Sequence, residues 1–256
     1  MPLADWLTLR EPIDHAARSE SLTRALAEAL PGVRPLRILD LGTGTGSNIR
    51  YLSPRLPSPQ AWYAVDRDLE LLARLPRSVT TRCLELGVLD APDLFDEVHL
   101  VTASALLDLV SAEWIGQLAR RCRDAGGAAL FALNYDGRSS CSPMDADDEF
   151  VREQFNRHQR SNDKGFGLAA GPEAADEAAK SFGACGYNVR RERSDWILTP
   201  DMVDLQTALI EGWADATREI IPHEVARIDA WLARRLASVR AGHSRIEVGH
   251  NDLIAF

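Results

Sequence analysis

No apolar run in the chain reaches the length of a membrane span, and no signal peptide, internal repeat or low-complexity segment is recognisable. A spanning helix and a repeat array are thereby excluded, and cytoplasm is the expected compartment. Cysteine is sparse. Cys83, Cys122, Cys141 and Cys185 are scattered with no C-x-x-C pair, so no metal site is expected and reduced, mostly buried thiols are the plain reading. Basic charge is also in short supply, with 29 Lys and Arg against 38 Asp and Glu, a net charge of -9 and a pI near 5.2. Phosphate binding needs a basic footprint, which occurs here only in short patches such as Arg190 to Arg193. The expected partner is therefore a small molecule, with no nucleic acid and no membrane, and a monomer or homodimer as the assembly. The 256 residues, 45% hydrophobic and 26% charged, suffice for one domain with a sizeable core, and their Ala and Arg richness suggests a GC-rich bacterial genome.

Glycine, by contrast, is concentrated where it matters. Between Ile38 and Ser47 the chain reads Ile-Leu-Asp-Leu-Gly-Thr-Gly-Thr-Gly-Ser. The apolar run 36–41 is too short for a helix and suits a strand buried on both faces, while 48–52 resumes at helical spacing. Gly42, Gly44 and Gly46 thus sit on a strand-to-helix turn where a ligand can touch backbone. The dinucleotide fingerprint would require a glycine at position 47, which is Ser47, and Asp40 would repel a pyrophosphate. An acid there suits a cofactor with a cationic sulfonium and an ammonium. A second acid, Asp66, ends the apolar run 61–65 twenty residues beyond Gly46, where a strand-end carboxylate can accept both hydroxyls of a ribose.

At these residues the chain resembles the class I S-adenosylmethionine-dependent methyltransferases, whose first motif has this acid-x-Gly-x-Gly-x-Gly form. The order of elements agrees with the resemblance. Strands are expected over 36–41, 61–65, 80–86, 97–102, 128–134 and 187–193, with a seventh over 245–248 continued by 253–256. Helices are expected over 21–30, 69–75, 113–124, 147–160 and 172–185. The fold class is α/β: a three-layer Rossmann-like, seven-stranded, mostly parallel sheet with an antiparallel last strand, plus helical insertions. The cofactor implied is S-adenosylmethionine. Its expected contacts are Asp40, Gly42, Thr43, Gly44 and Gly46 in the loop, then Asp66 and Arg67 after the second strand. The resemblance adds Glu85 and Leu86 at the adenine edge, Ala103 and Ser104 on the floor after the fourth strand, and Arg18, placed like an arginine that meets the cofactor carboxylate in some related enzymes.

A single domain is expected over 1–256, with an N-terminal cap over 1–30 and two insertions, 135–171 and 199–240, on the substrate side. The first is polar and holds Asp-Lys-Gly-Phe-Gly from Asp163, the pattern of a lid or binding loop. The second holds two amphipathic helices, of which Gln206, Ile210, Trp213 and Thr217 form one possible inward face. Methyl transfer needs alignment more than a protein nucleophile, and a base only if the acceptor must lose a proton. The candidates are Asn134 and Tyr135 at the sheet edge for substrate contact, then His158 and last His250, with Tyr135 and His158 as the catalytic pair and Trp213 as a further substrate contact. Asp136 also lies beside the site. The acids Asp145, Asp147, Asp148 and Glu149 look like a solvated loop and helix start rather than metal ligands. The expected reaction is methyl transfer to oxygen or nitrogen of a small molecule. A non-catalytic protein that binds the same cofactor, or a nucleotide-dependent oxidoreductase, are the alternatives.

Overall fold

The computed structural model describes every residue except Pro31, Val33, Val88, Pro92, Asn162 and Lys164; Lys164 of the Asp-Lys-Gly-Phe-Gly segment therefore lies outside the described residues. Helices α1 (Leu3–Ala17) and α2 (Glu20–Ala29) precede β1 (Leu36–Leu41), and α3 (Ser47–Leu52), β2 (Gln60–Asp66), α4 (Leu69–Leu72), β3 (Thr80–Cys83) and β4 (Leu100–Ser104) follow. Then come α5 (Ala112–Ala125), β5 (Ala128–Ser142), α6 (Asp148–Ser161), α7 (Ala174–Ala184), β6 (Val189–Arg193) and β7 (Trp196–Leu198). Helices α8 (Val203–Ile220) and α9 (Val225–Arg240) lead into the last strand, β8 (Arg245–Ala255).

The sheet order is β3-β2-β1-β4-β5-β8-β6. Strands β1 to β5 run parallel, and β8 is antiparallel to both β5 and β6. The short β7 pairs with residues 246–248 of β8 while β6 pairs with 251–255, so the two share one edge of β8 and the sheet keeps seven positions. Side chains of β1 alternate between two cores: Leu36 and Ile38 face one, Leu39 and Leu41 the other. That two-sided burial is why the strand reads as a continuous apolar run. Helices α5 and α7 cover the second face, while α2, α3, α8 and α9 pack on the first.

Three expectations are corrected. The stretch after Asn134 is not a loop, because β5 continues to Ser142 in a ladder with β8, interrupted by bulges between Phe131 and Asn134 and between Tyr135 and Ser139. The last strand is one piece, since Gly249 to Asp252 stay within it. The acidic run is not simply solvated: Asp145, Asp147 and Asp148 meet Arg234, Arg227 and Arg235 of α9, and the Asp148 carboxylate also accepts Trp231 Nε1 at 2.9 Å. The Arg234 guanidinium holds Asp145 down to about 2. No helix among the described residues is long and apolar enough to cross a membrane.

Candidate functional site

A cavity of about 450 Å³ opens over the C-terminal ends of β1, β2 and β4, where the strand order reverses between β1 and β4. Open α/β sheets bind ligands at such a switch point. One end is backbone. The loop after β1 carries left-handed φ at Gly42, Gly44 and Gly46, and its turn is closed by Gly46 N–H donating to Thr43 O at 2.9 Å. At Gly44 a Cβ would also stand 3.0 Å from a terminal methyl of Leu7 of α1, a tight contact on top of its left-handed φ of 54°. Asp66 holds this loop against β2: one of its oxygens accepts Gly44 N–H at 2.8 Å and the other Asp68 N–H at 3.0 Å. Two of the carboxylate's roughly four acceptor positions are thus filled, and two are left for a ligand.

Asp40 is fully buried beneath the loop and accepts Thr43 Oγ1 at 2.5 Å and Asn48 Nδ2 at 2.7 Å. Burial pushes its carboxyl up to about 6, opposed by those two hydrogen bonds and by Arg18 and reinforced by Asp66. The loop floor is therefore an acid that a nearby cation would favour in its charged form. Helix α1 lies across this end, placing Leu3, Trp6, Leu7, Arg10 and Asp14 of one helical face in the cavity wall. It is tied to α3 by His15 Nε2, 3.0 Å from Ser47 Oγ, and by Glu11 with Arg50.

The other end is a chain of rings. Trp6 and Trp196 have centroids 6.4 Å apart, Trp196 and His250 5.0 Å, His250 and Tyr135 6.2 Å, Tyr135 and Phe155 5.6 Å, and Phe155 and Trp213 6.2 Å. All six line the cavity. Arg10 stands 4.9 Å from the Trp196 ring centroid and grips Asp14 through two hydrogen bonds of 2.8 and 3.1 Å. Burial raises the Asp14 carboxyl against the opposing pull of Arg10. Burial, with Arg10 second, lowers His250 to about 3, and the ring is neutral at physiological pH. Tyr135 is pushed up by burial and donates its hydroxyl proton to Asn156 Oδ1 at 2.8 Å, so it is a fixed phenol rather than a ready base.

No protein-family model matches the chain, and no curated protein matches it. Solved structures match in fold. A cyclopropane-fatty-acyl-phospholipid synthase-like protein from Lactobacillus casei is similar at a TM-score of 0.56 and 15% identity, over 100% of this chain and 94% of that one. The cyclopropane synthase MmaA2 from Mycobacterium tuberculosis gives 0.51 at 12% identity, over 98% and 94%. The YcgJ protein from Bacillus subtilis gives 0.50 at 14% identity, over 93% and 98%. The fold is that of the class I methyltransferases.

Within this methyltransferase fold, the sequence-predicted residues divide. Asp40, Gly42, Thr43, Gly44, Asp66, Arg67, Glu85, Leu86, Ser104, Tyr135 and Trp213 line one cavity. Gly46 does not; it caps α3 with φ 82, and a Cβ there would collide with Leu75. Ala103 is packed in the core on the far face of the sheet, because alternation along β4 points it away from the site. Arg18 is also misplaced. It is buried, bonded to Asp252 at 3.2 Å and Asn48 Oδ1 at 2.8 Å and lying over the Tyr51 ring, and it is absent from the cavity lining. Asn134 is buried at the bulge, where its amide donates to the Phe131 and Asn251 carbonyls; Leu133, with φ 54, takes its place on the wall. His158 faces Glu219 of α8 at 3.0 Å and is absent from the lining. Of the inward face expected on α8, Gln206 bonds the Thr199 and Ser244 carbonyls, and Ile210 and Thr217 are core.

Trp6, Arg10 and Asp14, in the N-terminal segment expected to close over the cofactor, and Asp108, in the stretch after the fourth strand expected to form a floor, line the cavity; sequence reasoning missed Phe155, Gln159 and Trp196 as site residues and placed His250 last. The 3, 6, 7, 10, 14 spacing of α1 was a legible helical stripe, obscured by Pro12 inside the helix.

Proposed function

We propose that the chain is an S-adenosylmethionine-dependent methyltransferase acting on oxygen or nitrogen of a small molecule. The observation that carries this reading is one cavity with two unlike ends: an acid-flanked glycine loop at the strand ends and a lining of aromatic rings opposite. The residues fit the cofactor. The remaining acceptor positions of Asp66 suit two ribose hydroxyls, ionised Asp40 favours a cation above the loop, and Gly42 and Gly44, both left-handed, let backbone line the cavity. Glu85 and Leu86 are assigned to the adenine edge, and Ser104 to the junction of the two ends. When bound, the cofactor supplies an electrophilic methyl group on a sulfonium.

The chain's own contribution is alignment and the exclusion of water. Helix α1 serves as the cap of a single domain, and the insertions 135–171 and 199–240 bring Tyr135, Phe155 and Trp213 to the acceptor side. Calorimetric titration with S-adenosylmethionine and with a nicotinamide dinucleotide tests the reading. Heat from the sulfonium cofactor alone is expected, and binding of the dinucleotide alone would overturn it. Transfer of a labelled methyl group to a small acceptor separates an enzyme from a protein that only holds the cofactor.

A further inference from the structure

We infer that the aromatic end of the cavity takes a neutral, planar aromatic acceptor bearing an O–H or N–H group, with His250 Nε2 as the hydrogen-bond acceptor that orients it. The inference rests on the methyl-transfer reading and names the substrate class of that site.

His250 is fixed on all sides but one. Its backbone N–H donates to Asp195 Oδ1 at 3.0 Å, and its carbonyl accepts Ser194 N–H at 3.0 Å. The ring Nδ1 lies 3.1 Å from Val248 O. A carbonyl only accepts, so Nδ1 carries the proton, and Nε2 of the neutral ring is left as a bare acceptor. Among the described residues no hydrogen bond reaches Nε2, and the side chain lines the cavity. Burial first, then the facing guanidiniums of Arg10 and Arg138, keep it unprotonated against the opposing pull of the Val248 carbonyl and Asp195. What such a nitrogen lacks is a donor, which an acceptor hydroxyl or N–H supplies.

At the same end, two of the rings already hold a cation. The ring faces of Trp196 and Trp6 carry the Arg10 guanidinium at 4.9 and 5.9 Å, and both Asp14 oxygens are bonded to Arg10. Asp108, the other acid on this wall, has further interactions of its own. An ammonium seated on Trp196 or Trp6 would have to displace Arg10, whereas an uncharged ring can stack on Trp213, Phe155 and Tyr135 without disturbing that pair. On transfer, the acceptor's oxygen or nitrogen forms the bond to the methyl carbon as the carbon–sulfur bond breaks and sulfur keeps the electron pair. The acceptor's proton passes to solvent through the open cavity, and His250 Nε2 orients the O–H or N–H without taking that proton.

Equilibrium dialysis of the protein saturated with S-adenosylhomocysteine, against naphthol, naphthalene and naphthylmethylammonium, tests the inference. Naphthol should bind tightest, about tenfold more tightly than naphthalene, with the ammonium weaker than naphthol. His250→Phe should erase the difference between naphthol and naphthalene, and His250→Gln should restore part of it. If His250→Phe no longer binds S-adenosylhomocysteine, the wild-type order of the three probes decides. Tightest binding of the ammonium, no binding of any probe, or a naphthol advantage that survives His250→Phe would overturn the inference. Failure of the wild type to bind S-adenosylhomocysteine would instead fell the methyl-transfer reading on which it rests.

Discussion

The loop end of the cavity is assembled from residues close in sequence and from backbone, with Asp40, Gly42, Thr43 and Gly44 on one turn and Asp66 bonded to it from the next strand. The ring end is assembled from side chains alone, drawn from α1, β5, α6, β7, α8 and β8. A site made of backbone geometry constrains residue type at fixed spacing, and so leaves a motif. One made of rings from six elements leaves only residues that read as ordinary core. The first end therefore speaks for the cofactor and the second for the acceptor, and substitutions should separate them.

The largest effect is expected at Asp40. Its folded-state carboxyl is raised above its ordinary 3.8 to about 6, so the folded protein holds that proton more tightly than the unfolded chain. This contribution is fully present below about pH 3.8 and lost as pH rises to about 6, on the order of 3 kcal/mol in all. Asp40→Asn should remove that loss, and denaturant unfolding across the window checks it. Affinity for S-adenosylhomocysteine has the opposite sign: flat above about pH 6 and weakening by up to about tenfold per unit below it in the wild type, flat and weak in the variant. Equal pH profiles for the two proteins would remove Asp40 from the loop end's chemistry.

Next comes Asp66→Ala, which should cost roughly 1.5 to 3 kcal/mol of S-adenosylhomocysteine binding by calorimetry. An unchanged affinity would show that the ribose assignment is wrong. Tyr135→Phe removes the 2.8 Å bond to Asn156 and should cost about 1 kcal/mol of stability with cofactor affinity intact. A large loss of cofactor affinity in that variant would blur the division between the two ends. The smallest effect is expected from His158→Ala, whose partner Glu219 is mostly exposed: under about 1 kcal/mol in stability and no change in turnover. A collapse of turnover would return His158 to the site.

The same division explains what was legible in the sequence. β1 was read to the residue because both its faces are buried and the loop's glycines mark its end. β5 was cut short because the ladder beyond Asn134 is polar, its Arg138 paired with both Asp136 and Asp195, and polar residues that pair at a sheet's far end look like loop. Asn134 was misread for a related reason. The bulge, with Leu133 left-handed and its N–H on Asp252 at 2.8 Å, shifts the facing of the strand, and no side-chain pattern announces such a shift. Arg18 was misread because a buried arginine paired to Asp252, 234 residues away, has no local signature.

The most direct test of the division is a crystal structure with S-adenosylhomocysteine. Ribose hydroxyls on the Asp66 carboxylate, and the sulfur facing the rings of Tyr135 and His250, are the expected result. A nucleoside bound elsewhere, or one whose sulfur points away from those rings, would contradict the assignment of one end to the cofactor and the other to the acceptor.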